Sequence, residues 1–487
     1  MARRDDRLRE YRSRRSPDRT PEPDGVEGRD AAPGNRFVIQ EHHARRLHWD
    51  LRLEHEGALA SWALPRGIPT DPDHNRLAVR TEDHPLSYLD FEGEIPAGEY
   101  GAGQMSIWDR GTYVAEKFEP EKVMVTLEGE RVSGRFAIFR TRGDDWMIHR
   151  MDPPPADRDP FPERLEPMKA TLSADLPGDD EAWGFEVKWD GVRAIAYCQP
   201  GHLRLESRNL REITAQYPEV RGLVEQLGAR EAVLDGELVA FDDSARPSFQ
   251  RLQRRMHVGS EAEVRRRMGE VPVTYLAFDL LYLDGHLLLD RPYEERRAEL
   301  ESLELDGGSW QTPAYHRGDG AAMLEASRVR GLEGVIAKRL ASTYSPGRRS
   351  RDWLKVKNSR SQEVVIGGWL PGKGRREGEI GSLLVGYYED GDGEPRLRYA
   401  GKVGTGFDAA DLRLLAERLV PLRREDSPFD GRQPERGAVF VDPVLVCEVA
   451  FAEWTRAGTL RHPSFKGLRD DKAARDVIRE EPQAPGR

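Results

Sequence analysis

The sequence predicts a multidomain α+β protein, with a β-barrel-like N-terminal domain, a central α+β domain and a small C-terminal β-barrel. Three observations predict it. The chain has 487 residues, too many for one ordinary core and enough for roughly two to four domains. A proline-rich run, Met151-Asp-Pro-Pro-Pro-Ala-Asp-Arg-Asp-Pro-Phe-Pro162, reads as an extended spacer between folded parts. The patterning also changes along the chain, from short alternating runs, to strands mixed with helical stretches, to a glycine-rich β region.

Composition narrows the function classes. Hydrophobic residues make up 38% and charged residues 33%, and no apolar run approaches the roughly 20 residues of a membrane span. The start, Met-Ala-Arg-Arg-Asp-Asp-Arg, lacks the apolar segment of a signal peptide. Cys198 and Cys447 are the only cysteines; they support neither a disulfide framework nor a thiolate metal cluster and fit a reducing cytoplasm. The net charge of −11 excludes a uniformly basic nucleic-acid coat. It leaves local patches, Arg251–Arg255, Arg265–Arg267 and Arg348–Arg351, each readable as a nucleic-acid contact or as a solvated face.

Residues 1–34 mix Arg, Asp, Pro and Gly with few large apolar side chains, and the expectation is a poorly ordered arm. Residues 35–152 carry short β-type runs punctuated by Gly, Pro and Asp, the signature of a compact sheet or barrel. The clearest alternation is in Leu47 to Leu53, with Leu47, Trp49, Leu51 and Leu53 on one face and His48, Asp50 and Arg52 on the other. His48 and Asp50, with His42 upstream, suit a divalent transition metal such as manganese or zinc. Arg52 could clamp a phosphate with its planar fork. Glu82-Asp83-His84-Pro-Leu-Ser-Tyr88 adds an imidazole and a phenol. The alternative is a half-buried strand with an ordinary polar face.

These stretches, with Phe91-Glu-Gly-Glu-Ile-Pro-Ala-Gly-Glu-Tyr-Gly-Ala-Gly103, closely resemble the phosphoesterase domain of bacterial DNA ligase D over about residues 8 to 152. The resemblance implies a domain that removes a 3′-terminal ribonucleoside and converts a 3′-phosphate to a 3′-hydroxyl, with Mn2+. It implies that His42, His48 and Asp50 hold the metal, and that Arg52, His84 and Tyr88 bind the scissile phosphate or assist the transition state. In that family the arm carries a basic pair followed by an acid. This chain has Arg14-Arg15 followed by Ser16, with Thr20-Pro-Glu22-Pro beyond, so weaker or altered 3′ processing is expected. Arg15 and Glu22 are the candidate arm residues.

Beyond a linker at 153–164, residues 165–360 read as an α+β domain. Glu231 to Phe241 and Val271 to Leu283 look like strands, Tyr293 to Leu303 and Ala321 to Arg330 like helices. Glu186-Val-Lys188-Trp-Asp190-Gly-Val-Arg193 puts one lysine after an apolar approach and before a turn. A lysine whose amine is deprotonated can attack phosphorus; the other reading is a surface lysine at the mouth of a hairpin. Further on, Asp235-Gly-Glu237 places a carboxylate at a strand turn, Phe278 sits in an apolar strand, Glu333 precedes Lys338, and Lys355 and Lys357 share a strand face.

In order, these groups resemble the covalent nucleotidyltransferases (DNA ligases, RNA ligases and capping enzymes) over about residues 165 to 475. Ser207-Arg208-Asn209 resembles the DNA-ligase variant of the second motif. The resemblance implies that Lys188 takes AMP from ATP. Asp190 lies in the same motif as a tentative site residue. Glu186 would read the adenine edge and Phe278 stack on the base. Arg193, Arg208 and Glu237 would contact sugar or phosphate, Glu333 would hold Mg2+, and Lys338, Lys355 and Lys357 would bind the α-phosphate.

Residues 361–480 turn β-rich and glycine-rich with basic and aromatic residues, which suits an OB-fold, and 481–487 form a tail. The stretch Arg461 to Lys472 resembles the last ligase motif, so Arg469 and Lys472 are expected at the pyrophosphate. The sequence therefore predicts an ATP-dependent DNA ligase with a 3′-end-processing domain, using Mg2+ or Mn2+ for ligation. Its substrate would be nicked or broken DNA, and the family resemblance implies a Ku-like end-binding protein and a separate repair polymerase as partners, since no stretch is left for a polymerase domain. It would be a cytoplasmic monomer, associated with the nucleoid during repair. The alternatives are an RNA ligase or capping-type enzyme and a catalytically weak DNA-end scaffold.

Overall fold

The computed structural model describes residues 6–15, 18–24, 34–141, 145–154, 156–256, 258, 260–358, 360–372, 379–389, 394–455 and 457–480. Nine antiparallel strands between Arg36 and Arg150 form the first sheet. Strand Arg36–His43 pairs with Leu47–His55 on one side and Gly103–Glu119 on the other, so eight strands close into a barrel and Gly93–Ile95 hangs from its side. Closure leaves no open edge to recruit another strand. The period-2 alternation decides what goes inside: Leu47, Trp49, Leu51 and Leu53 pack with Phe37, Ile39, Phe136 and Ile138 in the barrel core. His48, Asp50 and Arg52 therefore face outward, where the segment 81–102 covers them.

The arm departs from its expected disorder. Arg9–Ser13 is a short helix, and Tyr11, 1% exposed, joins Val38, Tyr88, Phe91 and Met105 in an apolar cluster on the outside of the barrel. One phenol set edge-on to His84 and Tyr88, together with ion pairs from Arg15, supplies what the arm's composition lacks. Ser16 lies outside the described residues.

The central region has two sheets. Strand Trp183–Val187 pairs with Gly334–Arg339 and His316–Arg317 in a five-stranded sheet. Val192–Gln199 pairs with His202–Ser207 and Ala232–Ala240 in a seven-stranded one. The turn carrying Lys188 and Asp190 thus crosses between two sheets, which rules out the hairpin reading. A core containing Ile195, Val233, Phe278, Tyr344 and Trp353 joins the sheets. The expected helices appear as Tyr293–Ser302 and Gly320–Val329. Asp235 and Glu237 do not sit at a strand turn as expected. They lie mid-strand in Ala232–Ala240, beside a register shift between Asp235 and Gly236.

The C-terminal region is a six-stranded sheet built on Ser361–Pro371, Ile380–Glu389, Arg396–Val403 and Val439–Ala450, with Ser464–Leu468 added to the last of these. Its core includes Ile366, Leu384, Val403 and Val449. Helix Ala409–Leu419 starts at a capping box made by Asp408 and Asp411. Among the described residues, no helix is long and apolar enough to cross a membrane.

Candidate active sites

The outer face of the barrel gathers the first site. Register places His42 opposite His48 and Gln40 opposite Asp50. One ligand atom from each of His42, His48 and Asp50 lies within 4.8 Å of the others. His42 Nε2 is buried without an acceptor or donor partner. Burial alone would raise the Asp50 carboxyl, but Arg52 and the two imidazoles outweigh it and hold its pKa at about 2. Two nitrogens and a carboxylate with an orphaned ring nitrogen fit a divalent metal.

Arg52 is locked in plane: its Nε donates to Gln40 Oε1 at 2.7 Å and its Nη2 to Asp50 Oδ2 at 3.0 Å. Its Nη1 is buried and has no acceptor among the described residues, so one N–H is left for an incoming anion. His84 hydrogen-bonds the Glu82 carbonyl at 2.9 Å. Burial, then Arg52 and Arg15, hold its imidazole well below the usual range, hence neutral. The Tyr88 hydroxyl donates to Glu22, and burial together with that carboxylate raises its pKa. Arg15 donates to Glu22 at 2.7 Å and to Glu82 at 2.7 Å. The arm candidates Arg15 and Glu22 therefore lie in the site. Glu82, which also takes Arg14 at 2.9 Å, is a site residue to which sequence reasoning gave no role.

The second site is a cleft of about 170 Å3 where the two central sheets meet the C-terminal sheet, lined by Lys188, Glu186, Arg193, Arg208, Glu237, Phe278, Glu333, Lys355, Lys357 and Arg469. The Lys188 amide is held by the Gly334 carbonyl at 2.9 Å, and its ammonium donates to Glu333. Lys357 Nζ lies 3.1 Å from the other Glu333 oxygen. Burial would raise Glu333, but Lys188 and Lys357 outweigh it and keep the carboxylate charged. Asp190 stands nearby, its pKa raised by burial and by the Glu333 and Glu448 charges. Arg193 is fixed against Asp235, which also accepts from the Tyr344 hydroxyl at 2.7 Å. Burial lifts Glu237 to about 8.

Lys338, expected at the α-phosphate, lines the same cleft with its ammonium already engaged. Its ammonium is 1% exposed, pairs with Glu186 at 2.9 Å, and lies 4.4 Å from the ring centres of both Phe278 and Trp353. It braces Glu186 together with the Tyr293 hydroxyl, because a buried carboxylate needs partners. Lys355 lines the cleft too and grips Glu480 at 2.8 and 2.9 Å. Burial lowers its pKa to about 8, with Glu480 opposing and Lys357 adding. Arg208 pairs with Glu363 at 3.5 Å, Lys472 also pairs with Glu363, and Arg469 is forked onto Asp471 at 2.9 Å. Glu363 and Glu480 are acidic residues amid ordinary surface-like sequence, so no motif flagged them, and Asp471, inside the last ligase motif, was given no role.

The arginine patches at 251–255 and 265–267 resolve largely into structure: Arg255 is buried on Glu219, and Arg265 and Arg267 pair within their own helix.

The two-sheet cleft around Lys188 and the metal-ready barrel face define a DNA-ligase-class protein fused to a phosphoesterase domain. Family models agree: the DNA Ligase D 3′-phosphoesterase domain matches residues 40–140, the ATP dependent DNA ligase domain 167–357, and the ATP dependent DNA ligase C terminal region 376–472. The chain thus carries the 3′-phosphoesterase domain of DNA ligase D together with the two domains of an ATP-dependent DNA ligase. It is 46% identical over 483 residues to the "Multifunctional non-homologous end joining DNA repair protein LigD" of Mycobacterium tuberculosis, covering 98% of this chain and 61% of that protein. To the LigD protein of Pseudomonas aeruginosa it is 40% identical, covering 98% and 62%. The chain thus spans about three-fifths of the length of these relatives. A solved structure, "mycobacterial DNA ligase D complexed with ATP and MES", is 44% identical with a TM-score of 0.49, covering 65% of this chain and 98% of that one.

Proposed function

We propose that this chain cleans 3′ ends and then seals DNA through a covalent lysyl-adenylate. The observation that carries it is the convergence in one cleft of Lys188, Glu333, Lys355 and Lys357, a nucleophile, a metal-ready carboxylate and two phosphate-binding cations. Lys188 loses a proton and attacks the α-phosphorus of ATP; the N–P bond forms as pyrophosphate leaves. Lys355 and Lys357 neutralise the α-phosphate, which must displace Glu480 from Lys355. Arg469 and Lys472 hold the departing pyrophosphate. Glu186, braced by Lys338, reads the adenine edge; Phe278 stacks on the base; Arg193, Arg208 and Glu237 contact sugar and phosphate. Glu333 would hold Mg2+ or Mn2+, which supplies positive charge to the phosphoryl oxygens. Adenylate then passes to a DNA 5′-phosphate, and the 3′-hydroxyl displaces AMP.

In the barrel, His42, His48 and Asp50 would hold a divalent cation, Mn2+ by family resemblance, which polarises the scissile phosphate. Arg52 meets that phosphate with its unused N–H, Tyr88 donates to it once its hydroxyl turns from Glu22, and His84, whose Nδ1–H is held by the Glu82 carbonyl, donates from Nε2 only when protonated. The order of the two activities is chemical necessity, because a 3′-phosphate cannot attack. The relatives' names support a place in non-homologous end joining; a Ku-like end-binding protein is the partner that the family resemblance implies.

The test is a nicked duplex bearing a 3′-phosphate. Lys188→Ala should convert the end to a 3′-hydroxyl without sealing it and should form no labelled adenylyl-protein from ATP. His48→Ala should seal only nicks that already carry a 3′-hydroxyl. Sealing of the 3′-phosphate nick by His48→Ala at the wild-type rate would remove the end-cleaning role, and a labelled Lys188→Ala protein would remove the nucleophile assignment.

A further inference from the structure

One mouth of the barrel remains unexplained by either site. Strand parity turns Arg150 inward, in step with the core residues Trp146 and Ile148, and turns Arg76 inward in step with Ala78. Trp49 and Trp108 complete the ring around a cavity of about 300 Å3, roofed by Pro200, Arg230, Glu231 and Asp284 of the central domain. Arginine is a poor choice for the end of an apolar core unless something there meets its charge.

The existing carboxylates are already committed. Glu231 takes Arg158 at 3.0 Å and Arg76 at 3.5 Å, and Asp284 takes Arg230 at 2.8 Å. Among the described residues no carboxylate lies within ion-pair distance of Arg150, which feels Asp152 and Asp71 only from further away, and Arg131 is exposed beside the Trp108 ring. Arg150 is 7% exposed and its Nε has no acceptor; the indole N–H groups of Trp49 and Trp108 are also buried without one. Buried N–H groups are nearly always paired, since each unmade bond costs about 1–3 kcal/mol. Five arginines, Arg76, Arg131, Arg150, Arg158 and Arg230, line the cavity against two carboxylates, Glu231 and Asp284, an excess of positive charge. That pattern asks for an acceptor-rich anion.

We propose that this barrel mouth binds a phosphomonoester, the phosphate of a nucleotide or of a nucleic-acid strand end. A phosphate offers acceptor oxygens in a tetrahedral spread, so it can meet donors arriving from separate walls, as a flat carboxylate cannot. The cavity has room for more than the phosphate, and Ile68, Pro69 and Val132 give it an apolar wall for a sugar or base. Because the walls come from two domains, the ligand would also tie the barrel to the central domain.

The experiment is 31P NMR and calorimetric titration of the full chain with dTMP, thymidine and a 5′-phosphorylated thymidine dinucleotide. Both phosphorylated ligands share the proposed chemistry, and whichever binds tighter assigns the source, free nucleotide or strand end. Thymidine should not bind. Arg150→Met should weaken binding at least tenfold, and Arg131→Ser, at an exposed position where folding is not at risk, several-fold. Lys355→Ala and His48→Ala should bind as wild type does, which separates this mouth from both active sites. The proposal is overturned if wild type binds neither phosphorylated ligand at millimolar concentration, if both arginine variants bind unchanged, or if Lys355→Ala or His48→Ala abolishes binding.

Discussion

Glu237 shows how far a single residue's environment can depart from its sequence. The sequence put it at a strand turn, whereas it lies mid-strand beside a register shift, and its protonation state was not legible either. Burial lifts its pKa from 4.5 to about 8, so at neutral pH the folded protein holds a proton that the unfolded chain has released. Folding therefore takes up a proton between these two values, and stability falls as pH rises from about 4.5 to about 8. Glu237→Gln mimics the protonated group and removes that loss. Thermal melts should show the variant gaining on wild type steadily from pH 5 to pH 8; a difference that stays flat across this range would mean Glu237 is ionised throughout. Lys338 teaches the same lesson from the other side. Sequence order placed it with Lys355 and Lys357, and it lines their cleft, yet its ammonium is already held by Glu186 and lies against the rings of Phe278 and Trp353. Which face a side chain takes is legible, but which depth its tip reaches is set by tertiary packing.

Elements were legible wherever the apolar period was strict. The strand holding His48, Asp50 and Arg52 alternates without interruption, and burial of Trp49 and Leu51 follows from it. The crossover at Lys188 was not legible, because Asp-Gly promotes a turn without saying which strands it joins. The arm was misread because composition averages over a segment, whereas docking depends on a few contacts. Tyr11 is the apolar anchor, and Arg15, Glu22 and Glu82 lock the arm across the metal-ready face. Truncating a fully buried aromatic costs about 3–5 kcal/mol, more than a five-residue helix can recover alone. Tyr11→Ala should therefore release the arm, withdrawing Glu22 from Tyr88 and Arg15 from His84. Removal of a 3′-phosphate should fall at least tenfold while sealing of 3′-hydroxyl nicks stays at the wild-type rate. Equal losses in both assays would point to general unfolding instead.

At the scale of the whole molecule, the proline-rich stretch suggested two bodies on a spacer, and the structure adds a clasp between them. Glu231, 3% exposed, accepts from Arg76 of the barrel, Arg158 of the connecting stretch and Gln199 of its own sheet. Nothing in the sequence marks it, since a glutamate at the head of a strand is ordinary and its partners lie 155 and 73 residues away. Two arginines on one buried carboxylate make the contact costly to break from one side: removing the acid strands two guanidinium groups, an effect of about 3–5 kcal/mol for a buried pair. That exceeds what a modest polar interface between domains can hold. Glu231→Ala should therefore leave each domain folded but free the barrel from the central domain. Small-angle scattering should report a larger radius of gyration for the variant. Sealing of a simple 3′-hydroxyl nick should be unchanged, because the Lys188 cleft lies between the central and C-terminal sheets and does not use the clasp. If the scattering curve of Glu231→Ala superimposes on that of wild type, the contact is an ion pair without a structural duty, and the Gly67–Pro200 and Gly201–Pro65 approaches hold the two bodies together without it.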